Sequence, residues 1–281
     1  MKFEKWQALG NDYLIVAAED LPVAPSPERI RLICDRNFGL GGDGVIVVDD
    51  PDGSEAVASL RIFNPDGSEA ELSGNGAREA IMYLRRRGIA TRDTFTVETM
   101  AGPVTPTLLE DGRCSVAMGT ASTASDDYPE GPDDGIGSLS AAGREWKFRH
   151  VAVGNPQCAI EVAGELEDLD LAEIGPEIEN SGLFPNRTNV SFYRVSGARV
   201  RARIFERGVG ETLSSGTGAI GAAVSAHLSG APEDLIVELD GGELSVTIGP
   251  DLEVTLTGWA EPVFVGVAAP EFVKQLVETP G

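Results

Sequence analysis

Apolar and polar positions change rhythm along the chain, and each change marks an element. Residues 2–9 and 13–18 read as two strands joined at Gly10-Asn11-Asp12. Ser26-Pro27-Glu28 predicts a helix start, with a cap, proline at the first position and an early acid. Ile30, Leu32 and Ile33 supply its buried face. Val45-Ile46-Val47-Val48 is β-branched and predicts a strand, as does 58–63, and a helix follows over about 75–87. Thr94–Glu98 and Val104–Leu109 alternate as half-buried strands. From 119 to 143 the chain is rich in Ser, Thr, Asp, Gly and Pro and shows no period, which predicts a crossing between domains. The second half gives strands at 145–153, 158–162, 188–195 and 200–205, a short helix at 168–174, and a second long helix ending near 227. Strands at 234–239, 243–248 and 252–257 complete it, and the segment after Pro262 returns to close the first lobe.

One stretch occurs twice. Arg61-Ile62-Phe63 leads over nine residues to Ser73-Gly74-Asn75-Gly76-Ala77, and Arg203-Ile204-Phe205 leads over nine to Ser215-Gly216-Thr217-Gly218-Ala219. Every pair is offset by 142 positions, Glu69 and Glu211 included. Each copy reads as strand, polar turn, then a helix opened by Ser-Gly-x-Gly. The first amides of a helix lack internal partners and the dipole is positive there, so main chain alone can hold an anion. An ordinary serine cap explains either copy taken singly. Two copies at one spacing suggest two related lobes aiming two helix starts at one ligand. The chain therefore divides into residues 1–118 with the return 263–281, and residues 119–262.

Asn64-Pro65-Asp66-Gly67-Ser68-Glu69 followed by Ser73-Gly74-Asn75-Gly76-Ala77-Arg78 resembles the first signature of the diaminopimelate epimerase family. Glu206-Arg207-Gly208-Val209-Gly210-Glu211-Thr212 followed by Ser215-Gly216-Thr217-Gly218 resembles the second. The resemblance implies an α/β (α+β) fold of two pseudo-symmetric lobes, each a curved, mostly antiparallel sheet around a central helix. It implies cofactor-independent epimerisation of LL- to meso-diaminopimelate by two-base proton transfer, serving lysine and peptidoglycan precursor synthesis. No pyridoxal phosphate or other cofactor and no metal is implied. The proton-transfer positions fall at Ser73 and Ser215, where the family carries cysteine. The substrate-binding positions are Asn11, Asn64, Gly74, Asn75, Asn155, Asn189, Glu206, Arg207, Gly216 and Thr217. An arginine for a carboxylate and a glutamate for an ammonium suit a zwitterion, although each asparagine singly suits a turn.

Departures cluster at the chemistry. Gln157 stands where many members have histidine, and Glu79 where cysteine is common. A thiol at a helix start can be a thiolate at neutral pH, whereas a serine hydroxyl needs an adjacent base. Three readings follow: an epimerase with both cysteines replaced by design, a natural relative acting as isomerase or dehydratase on another zwitterion, or a non-catalytic amino-acid-binding protein. They rank in that order, because a changed substrate would erode the distal asparagines first.

Composition narrows the setting. A net charge of −23 over 281 residues argues against nucleic acid or an anionic membrane as partner. The amino terminus shows no signal peptide, and no apolar run is long enough to span a bilayer. Cys34, Cys114 and Cys158 are sparse, lack metal-ligand spacing and suit a reducing cytoplasm. Gly39-Leu40-Gly41-Gly42-Asp43-Gly44 matches a dinucleotide fingerprint but follows a helix and precedes a strand, so it reads as a loop bordering the site. A homodimer is the default assembly, with no interface legible in the sequence.

Overall fold

A computed structural model describes residues 1–53, 55–71 and 73–281. The chain forms two compact units, Met1–Val116 with Trp259–Gly281, and Ala117–Gly258. In the first unit the strands are β1 (Lys2–Ala8), β2 (Asn11–Ala17), β3 (Gly44–Asp49), β4 (Ala58–Phe63), β5 (Glu69–Ala70), β6 (Val97–Thr99), β7 (Gly102–Val104) and β8 (Thr107–Leu108). Helix α1 (Pro27–Cys34) separates β2 from β3, and α2 (Gly74–Arg86) separates β5 from β6. Its sheet runs from the C-terminal strand Glu261–Val267 through β1, β2, β3, β4 and β6 to β7. Pairing is antiparallel except at β2·β3 and β4·β6.

The chain passes to the second unit within β9 (Cys114–Thr120). There follow β10 (Ile136–Ala141), β11 (Arg144–Ala152), β12 (Pro156–Glu161), α3 (Leu171–Glu179), β13 (Asn189–Ser196), β14 (Arg199–Glu206), β15 (Gly210–Thr212), α4 (Gly216–Leu228), β16 (Asp234–Leu239), β17 (Gly242–Ile248) and β18 (Glu253–Gly258). The order β10-β11-β12-β13-β14-β16-β17 repeats that of the first sheet, and the two parallel pairs recur at β12·β13 and β14·β16. Helices α2 and α4 stand at the 142-residue offset, residue for residue.

Strand alternation assigns the faces of each sheet. In β2 and β3, Leu14, Val16, Val45 and Val47 join Ile30 and Ile33 of α1 in one core, while Ile46 turns the other way, toward α2. In β12 and β13, Cys158, Ile160, Val190 and Phe192 join Leu171, Ile174 and Ile178 of α3. Gln157, Ser191 and Tyr193 face α4 instead. Both faces are covered, which is why these strands are buried along nearly their whole length. Helix α4 is enclosed on most sides, and its small Ala and Gly residues let strands approach it all round.

The repeated Arg and Glu have a structural use. Arg61 grips Glu69 with two hydrogen bonds of 2.8 Å, and Arg203 grips Glu211 at 2.9 and 2.6 Å. Each pair pins the turn that leads to its helix start. Two stretches depart from the pattern reading. A strand, β10, lies inside the aperiodic 119–143 segment, because its outer edge is solvent-exposed and needs no apolar face. Thr94–Glu98 and Val104–Leu109 shrink to the short β6, β7 and β8, with Thr94 and Thr107 joined by a single bridge.

Candidate functional site

Each unit carries one of the two serine-capped helix starts, at the head of its long helix. In α2 the N-cap Ser73 has extended backbone, and its Oγ accepts from the Gly76 amide at 3.1 Å. In α4 Ser215 does the same for Gly218 at 3.2 Å. Helical bonding proper begins at Ala77 and Ala219, which donate to the carbonyls of the two caps. The first-turn amides of Gly74, Gly216 and Thr217 lie outside the helix ladder, which is the anion-binding arrangement expected at such starts.

In the second unit the sequence-predicted residues form a connected polar set. Ser215 Oγ donates to Glu206 Oε2 at 3.0 Å, and Thr212 Oγ1 donates to Glu206 Oε1 at 2.7 Å. Asn155 donates to Thr217 Oγ1 at 3.3 Å and accepts from the Gln157 amide. Asn189 is buried, with Nδ2 on the Pro156 carbonyl at 3.1 Å and Oδ1 accepting the Arg207 amide at 2.8 Å. Those two bonds hold the β12 and β14 ends in register. The Arg207 guanidinium is half-buried and donates to the Asn186 carbonyl at 2.9 Å. Among the described residues it meets no carboxylate within 4 Å. Buried Gln157 is packed against Gly221 of α4, where a methyl group would stand 2.8 Å from its Cβ.

The first unit differs. Asn11 donates to Asp43 Oδ2 at 3.1 Å, and Asp43 shares Arg36 with Asp12. Lys5 pairs with Asp12 as well. Burial pushes Asp12 up, but hydrogen bonds from Arg36 and Lys5 outweigh it and hold the carboxyl low. Asp43 is raised, by burial first and then by its contact with Asp12. Asn75 is buried and accepts from Arg78. Among the described residues Asn64 bonds only within its own turn, to Ser68 and Gly67, and so behaves as the turn residue its type suggests.

Three residues in this half lay beyond the predicted set. Tyr13 donates its phenolic O–H to Ser73 Oγ at 3.3 Å. Its backbone amide donates to Glu79 Oε2 at 3.1 Å, and Glu79 lies fully buried on α2 beside Arg78. Burial pushes the Glu79 carboxyl well above the usual range, against the pull of the Tyr13 amide and Arg78. The 142-residue offset places Glu79 on Gly221, so only the first helix carries a carboxyl at this point. Two steps beyond Asn11 on the same strand face, Tyr13 was within reach of a period-2 argument.

The cysteines take no part. All three are buried and unpaired, and burial pushes Cys34 and Cys114 up to about 12. His150 is buried against Ser125, and His227 faces the Ala231 carbonyl at the end of α4.

Solved structures of the same architecture define the class of fold. A probable proline racemase from Agrobacterium radiobacter superposes with TM-score 0.69 at 14% identity, covering 97% of this chain and 95% of that one. A Bacillus anthracis phenazine biosynthesis protein of the PhzF family gives 0.64 at 18% identity, covering 95% and 99%. Sequence is more specific. The diaminopimelate epimerase family model matches residues 3–124 and 149–263. A diaminopimelate epimerase of a Synechococcus species is 41% identical over 282 residues, covering 96% of this chain and 98% of its own. One from Teredinibacter turnerae is 39% identical over 274 residues, covering 95% and 98%. The chain belongs to the diaminopimelate epimerase family.

Proposed function

We propose that the chain binds diaminopimelate and inverts one of its α-carbons by proton transfer at Ser73 and Ser215, at a rate limited by the two hydroxyls. Membership of the family supports the substrate. The observation that carries the reading is the polar set of the second half-site. It offers first-turn amides at Gly216 and Thr217 for a carboxylate, Glu206 for an ammonium, and an Arg207 that meets no carboxylate of its own among the described residues. Fixed dipoles of this kind stabilise charge developing at the α-carbon without a carbonyl cofactor. Gly74 and Asn75 supply the matching helix start in the first half. Asn11, Asn155 and Asn189 complete the binding set, with Asn64 supporting the turn below it.

The reading places the reaction in lysine and peptidoglycan precursor synthesis. A cytoplasmic setting fits the three buried free thiols. No helix among the described residues is long and apolar enough to cross a membrane. A homodimer, the commonest assembly of soluble enzymes, is part of the proposal and is measured by sedimentation velocity.

Titration calorimetry with LL- and meso-diaminopimelate tests the substrate. Binding is expected, and Arg207→Ala should weaken it by about 2–3 kcal/mol, the loss of one charge-assisted, partly buried pair. Affinity for a different amino acid with none for diaminopimelate would instead establish the second reading, a relative working on another zwitterion.

A further inference from the structure

The two cap hydroxyls have different hydrogen-bond accounts. A serine Oγ offers one proton and two lone pairs. Ser215 accepts from Gly218 N and gives its proton to Glu206, so among the described residues one lone pair is left over. Ser73 accepts from Gly76 N and from the Tyr13 phenol, so both lone pairs are taken and, among the described residues, the proton is left over. One hydroxyl is set to receive a proton and the other to give one.

The Tyr13 side of this difference is built into the fold. The Tyr13 ring lies over Gly44 so closely that a methyl group there would stand 2.3 Å from its Cε1. Glu79 takes the Tyr13 backbone amide, and the tyrosine is 4% exposed. A phenol ordinarily titrates near about 10, far below an aliphatic alcohol, so it can recharge a serine that has lost its proton.

From the hydrogen bond between Tyr13 and Ser73 we propose that Tyr13 is a proton-supplying, positioning residue acting through Ser73, so that on the two-base reading above the first unit's serine serves as the acid and Glu206-Ser215 as the base. It rests on the reading that diaminopimelate is the substrate. The Cα–H bond breaks as Ser215 Oγ takes the proton and passes its own to Glu206. The carbanion's electron pair takes the Ser73 hydroxyl proton, and Ser73 Oγ takes the Tyr13 proton, leaving a phenolate. Net, one proton leaves the substrate for Glu206 and one reaches the substrate from Tyr13. Solvent resets the pair, or the opposite epimer does so by running the same steps backward.

The test is prolonged incubation of the full chain with each epimer in heavy water, reading α-deuterium and the LL-to-meso ratio, beside calorimetry on the same samples. For the epimer whose α-hydrogen faces Ser215, Tyr13→Phe should leave affinity within about twofold and cut inversion by about 10²-fold, the low end for a general acid. Exchange with retention should persist, so the exchange-to-inversion ratio rises. Glu206→Gln should abolish exchange and inversion together for that epimer. Replacing Tyr13 by 3,5-difluorotyrosine, a more acidic phenol of nearly the same shape, should restore inversion and move its alkaline limb to lower pH. A purely structural tyrosine would not shift that limb. Unchanged inversion in Tyr13→Phe, parallel loss of exchange and inversion, or no exchange in a chain that binds diaminopimelate would each overturn the proposal and leave the substrate reading intact. Absence of diaminopimelate binding would sink both.

Discussion

Glu79 is a carboxyl placed where ionisation is unfavourable. It is fully buried, Oε2 is met by the Tyr13 amide, and Oε1 has no partner among the described residues. Burial raises its carboxyl well above the ordinary 4.5, so the folded chain holds a proton that the unfolded chain releases. The sign follows from linkage. Below 4.5 both states are protonated and Glu79 has no effect on stability. As pH rises toward the folded-state value, the unfolded state ionises first and gains, at up to about 1.4 kcal/mol per pH unit. Glu79→Gln keeps the acceptor for Tyr13 and cannot ionise. It should match the parent near pH 4 and exceed it in urea midpoint at pH 7, the gap widening with pH between. Equal midpoints at pH 7 would show that Arg78 already neutralises the group. At this scale the sequence was only partly legible. Ser73, Ser215, Glu206 and Arg207 stand out by motif, whereas Tyr13 sits in an apolar run and reads as core. Period-2 alternation puts it on the Asn11 face, but its hydrogen bond to Ser73, sixty positions away, is encoded by no local pattern.

At the scale of elements, α4 shows how small residues serve a site. Gly221 lets Gln157 lie against the helix, and Gln157 in turn holds Asn155, which bonds to Thr217 at the helix start. Gly221→Ala would put a methyl group 2.8 Å from Gln157 Cβ, inside van der Waals contact. Alanine favours the helix, but overpacking typically costs about 1–3 kcal/mol against roughly 1 kcal/mol of propensity gained. A net loss in thermal midpoint is expected, together with weaker diaminopimelate binding as Asn155 is displaced; a gain in midpoint would mean that Gln157 moves freely. The elements themselves were largely readable. Capped helix starts and β-branched runs carry local signals, so α1, α2, α4 and the central strands fall within a residue or two of expectation. The short helix α3 begins at Leu171 and runs to Glu179, past the predicted 168–174, because Pro176 sits inside it and hides its continuation. Strand β10 was missed for the opposite reason, since an exposed edge strand with Gly and Ser lacks the alternation that betrays a strand.

For the whole molecule the question is whether two serines suffice where relatives in the family carry cysteines. Both caps are formed, and Ser215 is hydrogen-bonded to Glu206. Thiols would be better acids and bases at neutral pH but poorer caps. The double variant Ser73→Cys with Ser215→Cys should therefore gain epimerase activity and lose stability, by about 1 kcal/mol per helix start. Each single variant faces a competent group with a poor one, so neither alone should approach the double, as for residues that act as a unit. General acid–base groups contribute about 10²- to 10⁴-fold each, which sets the range of the gain and makes the chain as it stands slow. The readouts are the LL-to-meso ratio and urea midpoints for the parent, both singles and the double. A parent as fast as the double would show that the hydroxyls, with Tyr13 and Glu206 behind them, do the work of thiols. A double variant that binds diaminopimelate but stays inert would move the fault to Gln157, which stands where many members of the family have histidine and whose side-chain oxygen is buried and unpartnered among the described residues.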